Sequence, residues 1–404
     1  MVIGIIGAGA SGMAAALAAA ENPNVQVELF ERQARVGRKL QATGNGRCNL
    51  TNLNADKDGY HGENPEFASD ALTAMNPQAT LAWFRGLGLF TVAEESGRVY
   101  PYSDQANSVV DVLRLAMEKE NIQLHTGCEI QKLRKAEGVF VLESDGQVFR
   151  CDKLIVACGG LAGTKLGGTM SGYKLLGKFG HKSTRLRPAL VQLKSDWGGT
   201  VALKGVRTNC CVKIMKDGEL FAQSTGELQF SEYGISGPVV FEVSRDVCSA
   251  PGKWSAQLDF LPDCNLDILF LELQRRRNTV LSTDELLTGI LHNRLGRVLA
   301  KAAGIKGERK IAELTDDQLE QVCYAVKNFE IPLTEPLGMD SAQVTAGGVR
   351  TEDFDSKTME SKIIPGLYAC GEVLDIDGDC GGYNLQWAWS SGRCAGLHAG
   401  KDAK

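Results

Sequence analysis

Apolar and polar positions follow two different periods along this chain, and the switches between them divide it. Val2 to Ile6 is a short continuous apolar run, Ala10 to Glu21 is an alanine-rich segment of helical length, and Val25 to Phe30 carries apolar residues at every second position. They predict strand, helix and strand, the opening of a parallel α/β unit. Further on, Phe140 to Glu143 and Gln147 to Arg150 flank Asp145-Gly146 and predict a hairpin. Lys153 to Ala157 predicts another strand, running into Cys158-Gly159-Gly160.

Beyond Pro188 the pattern changes. Val206, Thr208, Cys210, Val212 and Ile214 alternate up to Met215, and Asp217-Gly218 leads into Glu219 to Ala222, a second hairpin signal. Trp254 to Phe260 adds a strand. After Pro262 the period becomes helical: Asn265 is placed to cap Leu266 to Arg276, and Ser282-x-x-Glu285 and Thr315-x-x-Gln318 are capping boxes that predict two more helices. From Ile363 the first character returns, with a strand at Leu367 to Cys370, a glycine-rich loop from Gly371 to Gly382 and a helix at Leu385 to Ala399. The expected architecture is therefore one nucleotide-binding domain, residues 1–190 and 340–404, interrupted by an insert. Its β-rich part covers 191–262 and 325–339, and its helical part 263–324.

Composition narrows the function classes. A length of 404 residues exceeds one ordinary domain, and 43% hydrophobic with 23% charged residues is a globular balance. A net charge of -5 lacks the basic excess that a nucleic-acid or membrane-surface partner requires, so neither is expected. Arg275-Arg276-Arg277 is the densest basic run and reads as a solvated helix face. No apolar stretch reaches the roughly 20 residues that span a bilayer, and the apolar Met13 to Ala20 lacks a preceding basic region. Twelve scattered cysteines without a CxxC pair fit a reducing, cytoplasmic setting and disfavour a dithiol reductase. His61, His125, His181, His292 and His398 show no metal-ligand spacing, so no metal is expected.

The chemistry starts at Gly7-x-Gly9-x-x-Gly12, which follows a strand and opens a helix. The first glycine permits the tight turn, the second lets backbone approach a pyrophosphate, and the third lets helix and strand pack closely. Free N–H groups at the helix start add positive potential. Glu31, 19 residues after Gly12, is placed to accept from ribose hydroxyls and disfavours a 2′-phosphate. Arg32, Gly37, Arg38 and Lys39 follow at once, and far downstream Glu372 ends a strand where a carboxylate meets a second polyhydroxyl chain. A ligand held from both ends of the chain must be long. FAD is.

Three further motifs carry a resemblance: Thr43-Gly44-Asn45-Gly46-Arg47-Cys48-Asn49-Leu50-Thr51-Asn52, Val344-Thr345-Ala346-Gly347-Gly348-Val349, and Gly371-Glu372 through Gly381-Gly382-Tyr383-Asn384-Leu385-Gln386. With them the chain resembles the two-dinucleotide-binding flavoproteins, and more closely the BaiN/YhiN-type family of bacterial FAD-dependent oxidoreductases. The resemblance implies a Rossmann-like FAD domain of the glutathione-reductase and fumarate-reductase type, interrupted by a β-barrel-like and a helical insert. It also implies the site. Gly7, Gly9, Ala10, Ser11 and Gly12 hold the pyrophosphate, Glu31 the adenosine ribose, and Arg32 and Lys39 flank that end. Glu129 and Ile130 pass the adenine. Ala157, Gly159 and Gly160 stand where relatives have Ala-Thr-Gly, with Cys158 replacing the threonine. Gly371 and Glu372 bind the ribityl chain, and Gly382, Tyr383, Asn384 and Leu385 face the flavin pyrimidine. Thr43, Gly46, Arg47, Cys48 and Asn49 line the isoalloxazine.

Arg47 is the candidate catalytic residue, the only cation in its loop; the other role open to it is tying that loop together. Cys48 has no second cysteine near it in sequence, which disfavours a catalytic thiol. The expected activity is hydride transfer between a small organic substrate and non-covalent FAD, with NAD(P)H or another electron donor or acceptor visiting transiently. A flavin-dependent RNA-modifying protein and a flavin-bearing sensing module are the alternatives.

Overall fold

The structure, a computed structural model, describes every residue except Cys248, Lys306, Glu308 and Lys404. It divides into two compact units, Met1–Arg187 with Gln343–Lys404, and Pro188–Ala342.

The first unit is built on a five-stranded parallel sheet. Its order is Leu367–Ala369, Lys153–Val156, β1 (Val2–Ile6), β2 (Gln26–Glu31) and Ile122–Thr126. β1 lies at the centre, and Ile3 and Ile5 are wholly buried, which is why it reads as a continuous apolar run rather than an alternating one. The helix α1 (Ala10–Ala20) follows it and is buried from Ser11 to Ala20. The cause is the C-terminal helix, Tyr383–Gly400. A side-chain carbon built on Gly392, Gly396 or Gly400 would fall 2.4, 2.2 or 3.1 Å from the carbonyl oxygens of Ser11, Ala15 and Ala19. Two small-residue faces at a spacing of four thus let the helices meet backbone to backbone.

The hairpin around Asp145-Gly146 is present, Val139–Ser144 pairing with Gln147–Cys151, and Lys132–Ala136 extends it to three strands. The small sheet Thr51–Asn52, Arg98–Pro101 and Thr91–Ala93 carries the end of the asparagine-rich loop.

The second unit has its own core. Its antiparallel sheet runs Leu193–Lys194, Gly234–Ser236, Glu219–Ser231, Arg207–Lys216, Trp254–Asp259 and Phe329–Leu333. Past the last strand, Thr334 N–H donates to Lys194 O (3.1 Å) and Lys194 N–H to Glu335 O (2.9 Å), so the sheet nearly closes into a barrel. Cys210, Val212, Ile214, Leu228, Phe230 and Leu258 fill it. Asp217 and Gly218 both take left-handed φ (54° and 86°), the conformation of a two-residue hairpin turn.

The helical part differs from expectation in one place. Asn265 caps Leu266–Arg276 through Ile268 N–H (2.8 Å), and the Thr315 box opens Asp316–Lys327. The Ser282 box closes on Glu285, yet it starts only a single 3-10 turn, Thr283–Glu285. The chain turns again through Gly289 (φ 80°), and the helix begins at Asn293 and runs to Ala302. A capping box satisfies two backbone donors; it does not supply the apolar face that sustains a helix.

Candidate functional site

The two ends of the parallel sheet's connectivity gather the candidate residues within the first unit. Gly7, with φ of 104°, would place a side-chain carbon 2.4 Å from Ala157 O, and Gly12 one 1.8 Å from Gly7 O. No other residue type fits either position. Gly9 is different: nothing lies within 4 Å of the place its side-chain carbon would take, so its surface is open. Gly46 and Gly159 are open in the same way. The turn thus packs tightly on one side and leaves bare backbone on the other.

Glu31 stands at the end of β2, its Oε2 accepting from Ala8 N–H (2.9 Å) and its Oε1 from Gln33 N–H (2.8 Å). Each oxygen keeps a lone pair for a further donor. The backbone carbonyls of Glu31 and Gln33 also fix Cys128 and Gly127 (both 2.9 Å), bringing exposed Glu129 and buried Ile130 beside this turn. Arg32 donates to Gly167 O (2.9 Å).

Lys39 reaches from the segment after β2 to the far end of the sequence. Its Nζ lies 2.7 Å from Glu372 Oε2, while Glu372 Oε1 accepts from Thr345 N–H (2.9 Å). The short helix Arg38–Ala42 carries Lys39 across to the far end of the sequence. Gly160 touches the same carboxylate; a side-chain carbon there would lie 2.4 Å from Glu372 Oε1. Gly371 N–H donates to Ser391 Oγ (3.0 Å), and its carbonyl accepts from Trp387 Nε1 (3.2 Å).

The loop from Thr43 to Asn52 is bound to the start of the C-terminal helix. Thr51 Oγ1 donates to Gln386 Oε1 (2.6 Å), Asn52 Nδ2 to Gly381 O (2.9 Å), and Trp389 Nε1 to Leu50 O (2.9 Å). Gln386 Nε2 reaches Met75 O, Thr80 Oγ1 and Ser390 Oγ at 2.7–2.8 Å. Gly382, at φ 110°, caps the helix, and Asn384 folds back to bond Gly378 N–H and O (2.8 and 2.7 Å). Tyr383 OH donates to Asn54 O (3.0 Å), and Leu385 is partly buried. Trp387 and Trp389 are core residues, both almost fully buried.

Within the loop, Cys48 is wholly buried, and burial pushes its thiol up to about 12. It is a neutral packing group with left-handed φ (62°), not a thiolate. Asn49 Oδ1 is buried without a hydrogen-bond partner. Arg47 Nε donates to Asp104 Oδ1 (2.5 Å) and Nη2 to Glu94 Oε1 (3.1 Å), with the guanidinium 3.9 Å from the Tyr100 ring centre. Two of its five N–H groups are thereby used.

Open glycine backbone at Gly9, Gly46 and Gly159, an orphaned amide oxygen at Asn49, and carboxylates with spare acceptors at both ends fit an extended dinucleotide. Among the described residues no three His, Cys, Asp or Glu side chains could hold a metal, and no helix is long and apolar enough to cross a membrane. Ser361, His181 and Asp353 do line up, at 3.0 and 3.5 Å. Ser361 and His181 are buried, however, and Ser361 Oγ already accepts from Ile363 and Ile364 N–H. That arrangement is a structural knot.

Sequence reasoning missed the parts that work across the chain. Gln386, Ser391 and Thr345 fix the loop, the Gly371 turn and Glu372. Two lie inside quoted motifs, but nothing local in the sequence announces their partners.

Fold and site together define a Rossmann-type dinucleotide-binding protein with a barrel and helical insert. The chain belongs to the family described as HI0933-like protein Rossmann domain, which matches residues 1–398, and this establishes the relationship that the motifs indicate. It is 41% identical over 407 residues to a 3-dehydro-bile acid delta(4,6)-reductase of Clostridium scindens, covering 98% of each chain. It is 32% identical over 390 residues to a ribosomal RNA dihydrouridine synthase of Escherichia coli, covering 96% of this chain and 95% of the relative. Among solved structures, a 3-ketosteroid delta1-dehydrogenase from Sterolibacterium denitrificans is similar in fold (TM-score 0.51, 13% identity, 98% of this chain and 99% of the other).

Proposed function

We propose that this chain is an FAD-dependent reductase that saturates a carbon–carbon double bond conjugated to a carbonyl in a small organic substrate. The observation that carries this reading is the end-to-end match at 41% identity to a protein named as a bile acid reductase. The more distant relative, named for making dihydrouridine, also saturates a ring double bond beside a carbonyl. The reaction type is therefore common to both, and the substrate differs. Balanced charge, 44 Lys and Arg against 49 Asp and Glu, favours a small molecule over RNA for this chain.

When bound, FAD supplies the hydride chemistry. The chain's own residues hold and orient it. Backbone N–H groups from Gly9 to Gly12 take the pyrophosphate, Glu31 the adenosine ribose, and Glu372, braced by Lys39 and Thr345, the ribityl hydroxyls. The start of the C-terminal helix, capped by Gly382, presents N–H groups to the flavin pyrimidine and favours negative charge there. The chain has a single Gly-x-Gly-x-x-Gly fingerprint, so NAD(P)H or another electron donor would visit the flavin transiently rather than occupy a second fingerprint of its own.

Purified protein is expected to be yellow and to release FAD on denaturation. Anaerobic reduction followed by mixing with a 3-oxo-Δ4-steroid is expected to reoxidise the flavin. Recovery of FMN, flavin retained on acid-precipitated protein, or reoxidation by uridine-containing RNA alone would each overturn the assignment.

Arg47 is the residue we assign to substrate or flavin. Its three uncommitted N–H groups stabilise a carbonyl oxygen as it gains negative charge, while Glu94 and Asp104 hold the fork in place. Arg47→Lys keeps the charge and loses the fork. The variant is expected to keep its fold and most of its FAD while reducing or reoxidising roughly tenfold to a hundredfold more slowly, the range of one lost charge-assisted bond. Wild-type flavin kinetics in stopped flow would leave Arg47 as a loop tether.

A further inference from the structure

Tyr173 sits on the helix Ser171–Gly177, is 5% exposed, and is used by nothing described so far. Its hydroxyl is buried and makes no hydrogen bond. That is unusual, because buried polar groups in folded proteins are almost always paired.

The side chains around it are each bonded to other partners. The polar groups nearest the hydroxyl are the Glu372 carboxylate, the Thr345 side chain and the backbone N–H of Leu161, and the last is a donor that cannot accept from it. Thr345 Oγ1 already accepts from Ala162 N–H (2.9 Å). Glu372 is held on one oxygen by Thr345 N–H and on the other by Lys39. Burial, with the Glu372 charge beside it, raises the phenol well above its ordinary value, so it stays an O–H donor at any working pH. The helix is pressed close to the sheet end: a side-chain carbon on Gly172 would fall 2.8 Å from Cys158 Cβ. Immediately after Cys158, Gly159 turns at φ 70° with open space before it. A buried donor with no acceptor therefore lies in the wall beside Glu372, next to bare backbone.

We propose that Tyr173 is a ligand of the bound dinucleotide, its hydroxyl donating to an oxygen of the ribityl–pyrophosphate chain beside Glu372. The inference rests on the reading that FAD occupies this site. It makes the hydroxyl a group that the ligand-free fold tolerates and the ligand satisfies.

That asymmetry gives the test. Tyr173→Phe keeps the ring and removes only the hydroxyl. FAD is titrated calorimetrically into wild-type and Y173F apoprotein, and thermal unfolding is followed with and without FAD. The expected result is an FAD Kd about tenfold weaker in Y173F, equal to about 1.4 kcal/mol. The ligand-free variant is expected to melt at the wild-type temperature or above it, since an unpaired buried hydroxyl has been removed. An unchanged Kd overturns the inference. So does a lower melting temperature of the ligand-free variant, or its failure to fold, because either means that the hydroxyl has its partner within the protein. A wild-type chain that takes up no FAD overturns the reading beneath it, and the inference falls with that reading.

Discussion

A Gly396→Val variant is expected to lose about 3 kcal/mol of stability or more, the upper range for forcing methyl groups into a filled core. The first carbon of any side chain at 396 would fall 2.2 Å from Ala15 O and 2.9 Å from Ala18 Cβ. Neither neighbour has a flexible end that can swing away; one is backbone and the other a methyl on the facing helix. The helices must therefore separate, and with them the base of the parallel sheet. For a unit of this size that corresponds to a fall in Tm of about 6–12 °C. Leu397, one position further and 42% exposed, provides the control, where replacement by alanine is expected to stay within about 0.5 kcal/mol. A G396V protein that melts within a degree of wild type would show that the helices do not meet as described.

Gln386→Leu is expected to combine a stability loss of about 2–4 kcal/mol with faster loss of flavin. Gln386 is fully buried and its amide serves four groups: Thr51 Oγ1, Met75 O, Thr80 Oγ1 and Ser390 Oγ. Leucine fills the same volume but accepts and donates nothing. The Thr51 hydroxyl, itself wholly buried, is left without its acceptor, and each such stranded group costs about 1–3 kcal/mol. Ser390 Oγ still donates to Met75 O, which limits the damage on that side. Because Thr51 ends the loop that begins at Thr43, the effect is expected at the flavin as well as in the melt. Flavin dissociation rates and proteolysis within residues 43–52 should both rise. Unchanged flavin retention in a destabilised protein would separate the amide from the site.

Local pattern made much of this molecule legible. The βαβ opening, both hairpins, the Asn265 cap and the parallel character of the sheet follow from period and turn chemistry, where each residue is judged against near neighbours. Legibility failed where the deciding partner is distant. The helix from Asn293 to Ala302 is sustained by Leu295 and Leu299 in the insert core, while Asn293 and Gly296 argue against it locally. The C-terminal helix starts at Tyr383, two residues ahead of the apolar run, because Gly382 accepts a left-handed cap there. Glycine spacing placed the dinucleotide turn. The pairing of Lys39 with Glu372, 333 residues apart, or of Thr51 with Gln386, 335 apart, leaves no mark on either local sequence.

The seam that closes the barrel has a consequence for how this architecture arises and varies. The insert leaves the chain near Gln192 and returns near Leu337, and these residues are bonded to each other, Leu337 N–H to Gln192 O at 2.9 Å. On the other side of both crossings, Thr184 N–H donates to Gly348 O at 2.8 Å. Entry and exit are thus neighbours within each unit taken by itself. Helices can lengthen and strands can be added within the insert without moving residues 184 and 348 apart. A lineage can in this way vary the insert while keeping its glycine turn, in a family whose members are named for substrates as unlike as a bile acid and a ribosomal RNA.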